Sequence, residues 1–525
     1  MTEDAFRPMA ARRSIRGTLL ALLVVGGAIM LMLSYESARA ATTFTVTETG
    51  DDGDVNLANA RCDASTSTGD QCTLRAAIEE ANDTAGADTV DFDIGGTASV
   101  KTISTLTALP TITDTVTIDG YTQPGASPNT LDQGNDALLK VQLDGPGPGP
   151  GFSGLQIEAD NCTIKGLVIR EFDDAGVLIT GSGATGNHIE GNFIGTNRDG
   201  TSSRSNPIGV YVTSESNMIG GTEPDERNLI SGNAFEGVLI SGPDATDNSV
   251  EGNYIGTTAD GAEALGNGGL GGVVIQGPEN TIGGRASGAG NVISGNAGYG
   301  VFVSGFSNGD ENRIEGNFIG TTASGAGDLG NTEAGVSVEN GAELTAVGGT
   351  RSGAPNRIAH NGGDGVSVRV DDTVGTNVLS NRIFDNGDLG IDLDADGVTA
   401  NDAGDLDTGP NNLQNFPVIL SARKGFPTPR KTTISGRLNS DPSQVYFVEC
   451  FLTDGDPASA HGEGSRLLGL TSVWFDSAGI GRFSCVSTSP LLGQVPGQTV
   501  TATATNVATG DTSEFSRNKA IVTVP

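Results

Sequence analysis

One short phrase, a glycine followed by an apolar, a variable and an apolar residue, occurs eight times between residues 176 and 393. The copies are Gly176-Val-Leu-Ile179, Gly209-Val-Tyr-Val212, Gly237-Val-Leu-Ile240, Gly272-Val-Val-Ile275, Gly300-Val-Phe-Val303, Gly335-Val-Ser-Val338, Gly365-Val-Ser-Val368 and Gly390-Ile-Asp-Leu393. The intervals between them are 33, 28, 35, 28, 35, 30 and 25 residues. Periods of this size are typical of a solenoid, in which each repeat forms one coil and stacks on its neighbours.

Each coil contains further short apolar runs, such as residues 187–189 and 192–194, which are separated by Gly, Asn, Ser or Asp. These runs are too short for helices and fit strands bounded by turn residues. A strand this short cannot bury its inner face alone, so the coils must pair in parallel along one axis. The sequence therefore predicts an all-β fold, a right-handed parallel β-helix over residues 154–415.

Asparagine recurs at equivalent places in successive coils. The first such series is Asn187, Asn217, Asn248, Asn280 and Asn312. Stacked side-chain amides can hydrogen-bond from coil to coil. We therefore expect an amide ladder with a structural role.

The chain divides into four predicted segments. Residues 1–40 have the pattern of a signal peptide, because Arg12, Arg13 and Arg16 precede an uncharged run and Ala38-Arg-Ala40 follows it. An uncleaved N-terminal anchor is the alternative, since the run is near the lower length limit for a membrane span. Residues 41–153 are interpreted as a cap and first irregular coils, with a long excursion at 121–135.

The fourth segment, residues 416–525, has a different period from the solenoid. Short alternating runs at 446–452, 482–486 and 500–505 are separated by turn residues. About 110 residues of this kind are typical of an immunoglobulin-like β-sandwich. Five cysteines suit an oxidising compartment. We expect Cys62 to pair with Cys72, Cys450 to pair with Cys485, and Cys162 to remain a buried free thiol.

The net charge limits the possible partners. The whole chain carries −35, and the chain without its first forty residues carries −37. Such a charge argues against nucleic acid, anionic lipid and a polyanion held without metal as partners. We expect a secreted or cell-surface monomer without a membrane span after signal removal, whose partner is an extracellular polysaccharide or cell-surface glycan.

Residues 73–82 form the one convincing predicted helix. Leu74, Ala77, Ile78 and Ala81 share a face and Thr73 can serve as N-cap, as expected of a cap over the open end of a solenoid.

This segment also carries a family resemblance. Cys72-Thr-Leu-Arg-Ala-Ala-Ile78 followed by Ala81-Asn82 resembles the segment, named for its Cys-Ser-Leu-Arg-Glu-Ala motif, that opens many exported bacterial β-helix proteins. Ile118-Asp-Gly-Tyr-Thr-Gln-Pro-Gly125 and the Gly-Asn-x-Ile-Gly-Thr coils resemble that group too, so the resemblance spans about residues 43–417. Ala76 replaces the usual Glu, which removes a capping-box carboxylate. The resemblance implies an exported or surface-attached β-helix, and the family has no agreed catalytic residues to carry over.

The repeat ends in an acidic stretch that begins Asp392-Leu-Asp-Ala-Asp-Gly397. Aspartates at alternate positions before a glycine match the opening of a calcium loop, although Ala403 stands where an EF-hand has its closing glutamate. The predicted calcium ligands are Asp392, Asp394, Asp396, Asp402 and Asp405. A metal-free acidic turn is the alternative.

The third residue of each glycine-led phrase, counting the glycine as the first, should point outward. The first five of these residues are apolar: Leu178, Tyr211, Leu239, Val274 and Phe302. An exposed apolar row is a candidate glycan-binding face. The alternative is that a loop or the terminal domain covers it.

The same outer sheet becomes polar toward its C-terminal end, where Glu339, Arg369, Asp392 and Asp394 are candidate catalytic residues. Paired carboxylates serve glycoside hydrolases, and arginine beside calcium-bound carboxylates suits a lyase acting on uronates. Polysaccharide lyases and polygalacturonase-like hydrolases share this fold, so the link to these activities is an analogy between folds only. We interpret the protein as a non-catalytic, exported glycan-binding or attachment protein. The alternatives are a polysaccharide lyase or glycoside hydrolase, and a structural surface or matrix rod.

Overall fold

The computed structural model describes residues 41–525 apart from residues 68, 70, 97–98, 146–150, 306–309, 426–430, 454–458, 478, 489–491, 493–496 and 524–525. The predicted signal peptide and its alternative, an anchor, lie outside the described residues. Within the described part, no helix is long and apolar enough to cross a membrane.

Three long parallel sheets form a right-handed parallel β-helix, as predicted. Sheet A has these described strands: Thr43–Val46, Asp88–Phe92, Val116–Asp119, Thr163–Lys165, His188–Glu190, Met218–Gly220, Ser249–Glu251, Thr281–Gly283, Arg313–Glu315, Ala346–Gly348 and Asn377–Leu379. Sheet B has Lys101–Ser104, Val141–Asp144, Leu167–Arg170, Phe193–Ile194, Leu229–Ile230, Tyr254–Ile255, Val292–Ile293, Phe318–Ile319, Arg357–Ala359 and Arg382–Phe384. Sheet C has Leu155–Ile157, Ala175–Ile179, Ile208–Val212, Val238–Ser241, Gly271–Gln276, Tyr299–Ser304, Val336–Glu339, Val366–Val368 and Ile391–Leu393.

All eight glycine-led phrases lie in sheet C, in parallel and in register. Val177 pairs with Val210, Val210 with Val238, and Val238 with Val273, and all four side chains are fully buried. Inward Val and Ile from the three sheets therefore stack into one continuous core.

Asparagine ladders run along the three corners of the coils. The predicted ladder is confirmed: Asn187 donates to Asn217, and Asn217 donates to Asn248. Two more ladders were not predicted, and they run Asn192, Asn228, Asn253, Asn291, Asn317, Asn356, Asn381 and Asn206, Asn233, Asn267, Asn296, Asn331, Asn361, Asn386. Their amides satisfy backbone groups at buried turns, where unpaired polar groups are costly.

The helix Leu74–Asp83 closes the N-terminal end of the core. Thr73 is its N-cap and accepts from the Ala76 backbone N–H at 3.1 Å, as predicted. The disulfide between Cys62 and Cys72 fixes the preceding loop. Short 3-10 helices lie at Leu57–Asn59, Gly120–Thr122, Pro224–Glu226 and Pro410–Leu413.

A strap, residues 121–139, packs on the outer face of sheet B, where Ala259 and Ala323 complete the cover. That face carries an apolar row that was not predicted from the sequence: Val168, Phe193, Leu229, Tyr254, Val292 and Phe318. Arg227 holds the strap by donating to the carbonyls of Leu131, Asp132 and Gly134 at 2.7–2.9 Å. The predicted excursion is therefore a cover that buries one outer face.

The C-terminal region forms two packed antiparallel sheets. The five-stranded sheet contains Val418–Lys424, Thr432–Leu438, Trp474–Phe475, Gly481–Ser487 and Val522–Thr523, the last paired in parallel with the first. The four-stranded sheet contains Tyr446–Thr453, Arg466–Ser472, Thr499–Asn506 and Lys519–Ala520. The predicted disulfide between Cys450 and Cys485 joins the two sheets, and Cys162 is a buried free thiol. The immunoglobulin-like topology stays a prediction.

The sandwich closes the C-terminal end of the solenoid. The last strand of each solenoid sheet donates one backbone N–H to it: Val378 to Thr512 Oγ1, Ile383 to the Gly464 carbonyl, and Leu393 to Glu514 Oε1. Phe451 and Phe515 join the solenoid core from the sandwich side. Residues 41–525 therefore form one compact unit.

Candidate functional site

The outer face of sheet C, hereafter the sheet C face, is built from two rows of outward side chains. The third-position row is in register from Leu178 through Tyr211 and Leu239 to Ser367 and Asp392. The fifth-position row lies two residues farther along the chain than the third-position row. It contains Thr180, Thr213, Ser241, Gln276, Ser304, Glu339, Arg369 and Asp394. The stacking of coils places the apolar and polar side chains in parallel lines.

Only the first part of the predicted apolar row is open to solvent. Leu178, Tyr211 and Leu239 are half-buried, whereas Val274 and Phe302 are 1% and 6% exposed. The prediction that Val274 and Phe302 belong to an exposed face is therefore wrong. Phe302 is covered from its own strand, because the Tyr299 ring stacks on it with the ring centroids 5.4 Å apart.

Tyr299 is held in place by a network that we call the tyrosine brace: Tyr299, Ser337, Glu339, Ser367 and Arg369. Arg369 donates from Nη1 to the Tyr299 hydroxyl at 3.1 Å and from Nε to Ser367 Oγ at 3.0 Å. Its Nη1 lies 3.6 Å from Glu339 Oε1, which also accepts from Ser337 Oγ at 2.7 Å. The guanidinium and the carboxylate therefore neutralise each other beside an aromatic ring.

The groups of the tyrosine brace hold the Tyr299 ring in place. Burial raises the pKa of the Tyr299 hydroxyl above its usual range, while the neighbouring Arg369 acts in the opposite direction. A phenol of that kind stays protonated at neutral pH. The brace thus fixes the direction of the ring, and its charged groups are already paired.

The two predicted catalytic aspartates do not join Glu339 and Arg369 in an open cleft. Asp392 is 5% exposed, and its Oδ2 accepts from the Gly397 backbone N–H at 3.3 Å. Burial, and then the nearby Asp364, raise the pKa of Asp392 to about 7. Asp394 is exposed and adopts a left-handed backbone conformation with φ +78°. Of the four candidates, the structure brings only Glu339 and Arg369 into direct contact.

The acidic stretch after the last coil brings together a different set from the five predicted ligands. One carboxylate oxygen each of Asp402, Asp405 and Asp407 lies within 4.8 Å of the others. Asp392, Asp394 and Asp396 are not part of this group. Asp407 was therefore absent from the predicted set, although it continues the alternating pattern that predicted the others.

Some of the carboxylate oxygens in this group are available to a cation, and others are already hydrogen-bonded. Asp407 Oδ1 is buried without a hydrogen-bond partner among the described residues. Asp405 is already engaged, because its Oδ1 accepts from the Asn415 backbone N–H at 2.7 Å and its Oδ2 accepts from Gln414 and Ser440. Burial raises the pKa of Asp405 to about 6. Calcium binding stays a prediction.

The fifth-position row is neutral over five coils. The Thr213 hydroxyl donates to Thr180 Oγ1 at 2.8 Å, and the Ser241 hydroxyl donates to Gln276 Oε1 at 2.8 Å. Ser304 accepts from the Asn340 side-chain amide. A line of hydroxyl and amide groups therefore lies beside the half-exposed apolar side chains.

Comparisons with known proteins add little about function. No family model matches the sequence, and no curated protein matches it. A solved structure of full-length tailspike protein 2 from the Escherichia coli O157:H7 bacteriophage CAB120 is 12% identical, with a TM-score of 0.30 over 85% of this chain and 65% of that chain. The enzymatically active domain of bacteriophage CBA120 tailspike protein 2 is 12% identical, with a TM-score of 0.28 over 87% of this chain and 75% of that chain. This chain thus spans about two thirds of the full-length tailspike.

Proposed function

We propose that this protein is an exported β-helix protein that binds a neutral polysaccharide along the sheet C face. One observation carries the proposal: a half-exposed apolar row, Leu178, Tyr211 and Leu239, lies beside the neutral row that begins with Thr180 and Thr213. A sugar ring has an apolar face and a rim of hydroxyls. The two rows offer a complementary surface for each part.

The spacing of the coils supports an extended chain of sugars. Successive coils are about 4.8 Å apart, which is close to the length of one ring in an extended polysaccharide. Each coil can therefore meet one sugar, and the site repeats along the solenoid axis. Tyr299, held by the brace over Phe302, places a second aromatic ring farther along the same face.

The charge of the face supports a neutral ligand. Its two rows contain one cation, Arg369, which is already paired with Glu339. They also contain Asp392 and Asp394, and Glu158 stands at the N-terminal end of the fifth-position row. A uronate chain would meet repulsion at both ends of this face.

Export is part of the same proposal. Two disulfides suit an oxidising compartment. The resemblance of the segment from Cys72 to Asn82 to the opening of exported bacterial β-helix proteins agrees with that location. The family membership itself is proposed on those residues.

Binding tests can decide between the three functions. The protein without residues 1–40 would be run through gels that contain neutral or uronate polysaccharides, and retardation would be measured. We expect retardation by at least one neutral polysaccharide, and we expect Tyr211→Ala to weaken it about tenfold, which corresponds to about 1.4 kcal/mol of lost stacking. Leu406→Ala is the matched control, because Leu406 is 80% exposed and belongs to neither row of the sheet C face.

The other outcomes are equally specific. Release of reducing ends or unsaturated products would establish the enzyme alternative. Neither retardation nor product release over the panel would reject glycan binding and favour the structural rod. Retardation that Tyr211→Ala leaves unchanged would place the binding site elsewhere.

A further inference from the structure

Among the described residues, one outer face of the sandwich contacts the solenoid and the other carries exposed side chains. The four-stranded sheet contacts the solenoid end through Glu449, which accepts from both the backbone N–H and the hydroxyl of Ser380, and through Phe451 in the solenoid core. The outer face of the five-stranded sheet, hereafter the distal face, is therefore on the opposite side of the sandwich. Its outward residues are exposed or half-buried along every long strand.

The distal face carries the one tryptophan of the chain and a row of arginines. In register across four strands lie Trp474, Arg482, Arg437 and Val418. Trp474 is 53% exposed, and both arginines are exposed. Arg437 and Arg482 are directly opposite each other, an arrangement of like charges that is destabilising unless an anion lies between them.

Further cations continue this row in two directions. Arg423 is exposed on the same face, on the strand next to the edge strand Val522–Thr523, and lies opposite Thr433. In the other direction, Val418 borders a cavity that is also lined by Arg517 and by Lys519 of the four-stranded sheet. Among the described residues, Arg423 and Arg437 have no acidic partner, whereas Arg482 is paired with Asp476 at 3.1 Å.

This distribution differs from that of the rest of the molecule. Residues 416–525 contain nine Lys and Arg and eight Asp and Glu, a net charge of +1, within a chain of −35. The sandwich is therefore the segment that repels an anionic chain least. Three of the nine cations, Arg423, Arg437 and Arg482, lie on the face that points away from the acidic solenoid.

We propose that the distal face binds an acidic polysaccharide. The indole of Trp474 stacks on a sugar ring, and Arg437 and Arg423 bind carboxylate groups on the same chain. Three serines in register between the arginine rows, Ser421, Ser435 and Ser484, offer hydroxyls to the sugar rim. A single exposed tryptophan and a net charge of only +1 favour a glycan over the denser charge of nucleic acid. This site is separate from the sheet C face and has the opposite charge preference.

The test uses the chain without residues 1–40 and two anionic probes, a decamer of galacturonate and a duplex DNA of equal charge. Binding is measured by calorimetry at low salt. We expect the oligogalacturonate to bind, and Trp474→Ala and Arg437→Ala each to weaken binding about tenfold. Trp474→Phe should restore most of the affinity. Arg351→Ala is the charge-matched control, because Arg351 is exposed on a solenoid turn.

Three results would overturn the proposal of acidic polysaccharide binding at the distal face. Absence of binding, equal binding to DNA, or affinity unchanged in Trp474→Ala and Arg437→Ala would overturn the proposal. A thermal melt of each variant shows whether it is folded, and Trp474→Phe keeps the test valid if Trp474→Ala is not. Tyr211→Ala should leave oligogalacturonate binding intact, so failure of the sheet C proposal and failure of this one are distinguishable.

Discussion

Glu463 of the sandwich accepts two hydrogen bonds from Asn386, one from its side-chain amide at 2.8 Å and one from its backbone N–H at 3.2 Å. Asn386 is the last asparagine of a ladder that begins at Asn206. The carboxyl group thus takes the place that the next asparagine would occupy in another coil. A solenoid needs such an end, because an open edge leaves backbone groups unpaired and invites aggregation.

The same contact should make stability depend on pH. Burial raises the pKa of Glu463 to about 7, and the nearby Asp385 acts in the same direction. Since the folded chain favours the protonated form, the free energy of unfolding should fall as pH rises from about 4.5 through about 7. Glu463→Gln is neutral at every pH, so it should exceed the wild type by about 1 kcal/mol at pH 8 and match it at pH 5. Thermal melts over this range measure the difference. Glu263→Gln, on an exposed hairpin, is the control and should show no such difference.

A mid-ladder asparagine should be critical for stability. Asn267 is fully buried, donates to Asn296 Oδ1 and to the Ile230 carbonyl, and accepts from Asn233. Asn267→Ala leaves these buried groups unpaired, so we expect a loss of about 2 to 4 kcal/mol. The midpoint of urea unfolding measures it. The exposed Asn439→Ala should shift the midpoint much less, and equal shifts would contradict the ladder's role.

Substitution of Arg227, which holds the strap, should expose the apolar row on sheet B. Arg227 is 7% exposed and bonds to three strap carbonyls, and its guanidinium lies 4.7 Å from the centre of the Tyr254 ring. Arg227→Ala should leave those carbonyls unpaired and loosen residues 121–139. We expect increased binding of a hydrophobic dye and faster proteolysis within the strap. Arg198→Ala, an exposed residue in a surface ion pair, should change neither. Unchanged proteolysis in Arg227→Ala would show that the strap is held by other contacts.

Calcium binding should depend on the group that the structure brings together, Asp402, Asp405 and Asp407. We expect calorimetric titration with calcium to give heat and a higher melting temperature in the wild type. Asp407→Asn should abolish both effects, because Asp407 Oδ1 is the buried atom without a partner among the described residues. Asp394→Asn should retain them, since Asp394 lies outside the group. No heat in the wild type would show that Asp402 and Asp405 serve the loop through hydrogen bonds alone.

Much of the fold follows from local patterns. The glycine-led phrases predicted sheet C, and the residues around Thr73 predicted the helix and its N-cap. The two further asparagine ladders were present in the sequence as well, for Asn192 and Asn253 stand in the repeated Glu-Gly-Asn phrase. They were not predicted because each ladder lies at a different corner of the coil, and the spacing of one ladder does not give the spacing of the others.

The site was less predictable than the fold. Sequence spacing correctly placed Leu178 and Phe302 in one outward row, yet Leu178 is half-buried and Phe302 is covered. The acidic stretch likewise predicted Asp402 and Asp405 but grouped them with Asp392. In both cases the error concerns which separate segments come together.

The sequence by itself determined the coil, because the alternation of side chains along a strand fixes which residues face the core and which face outward. The tertiary structure decided which outward residues meet solvent. The strap covers sheet B, Tyr299 covers Phe302, and the sandwich covers the last coil. Exposure depends on contacts between segments far apart in the chain, and a local periodicity carries no information about those contacts.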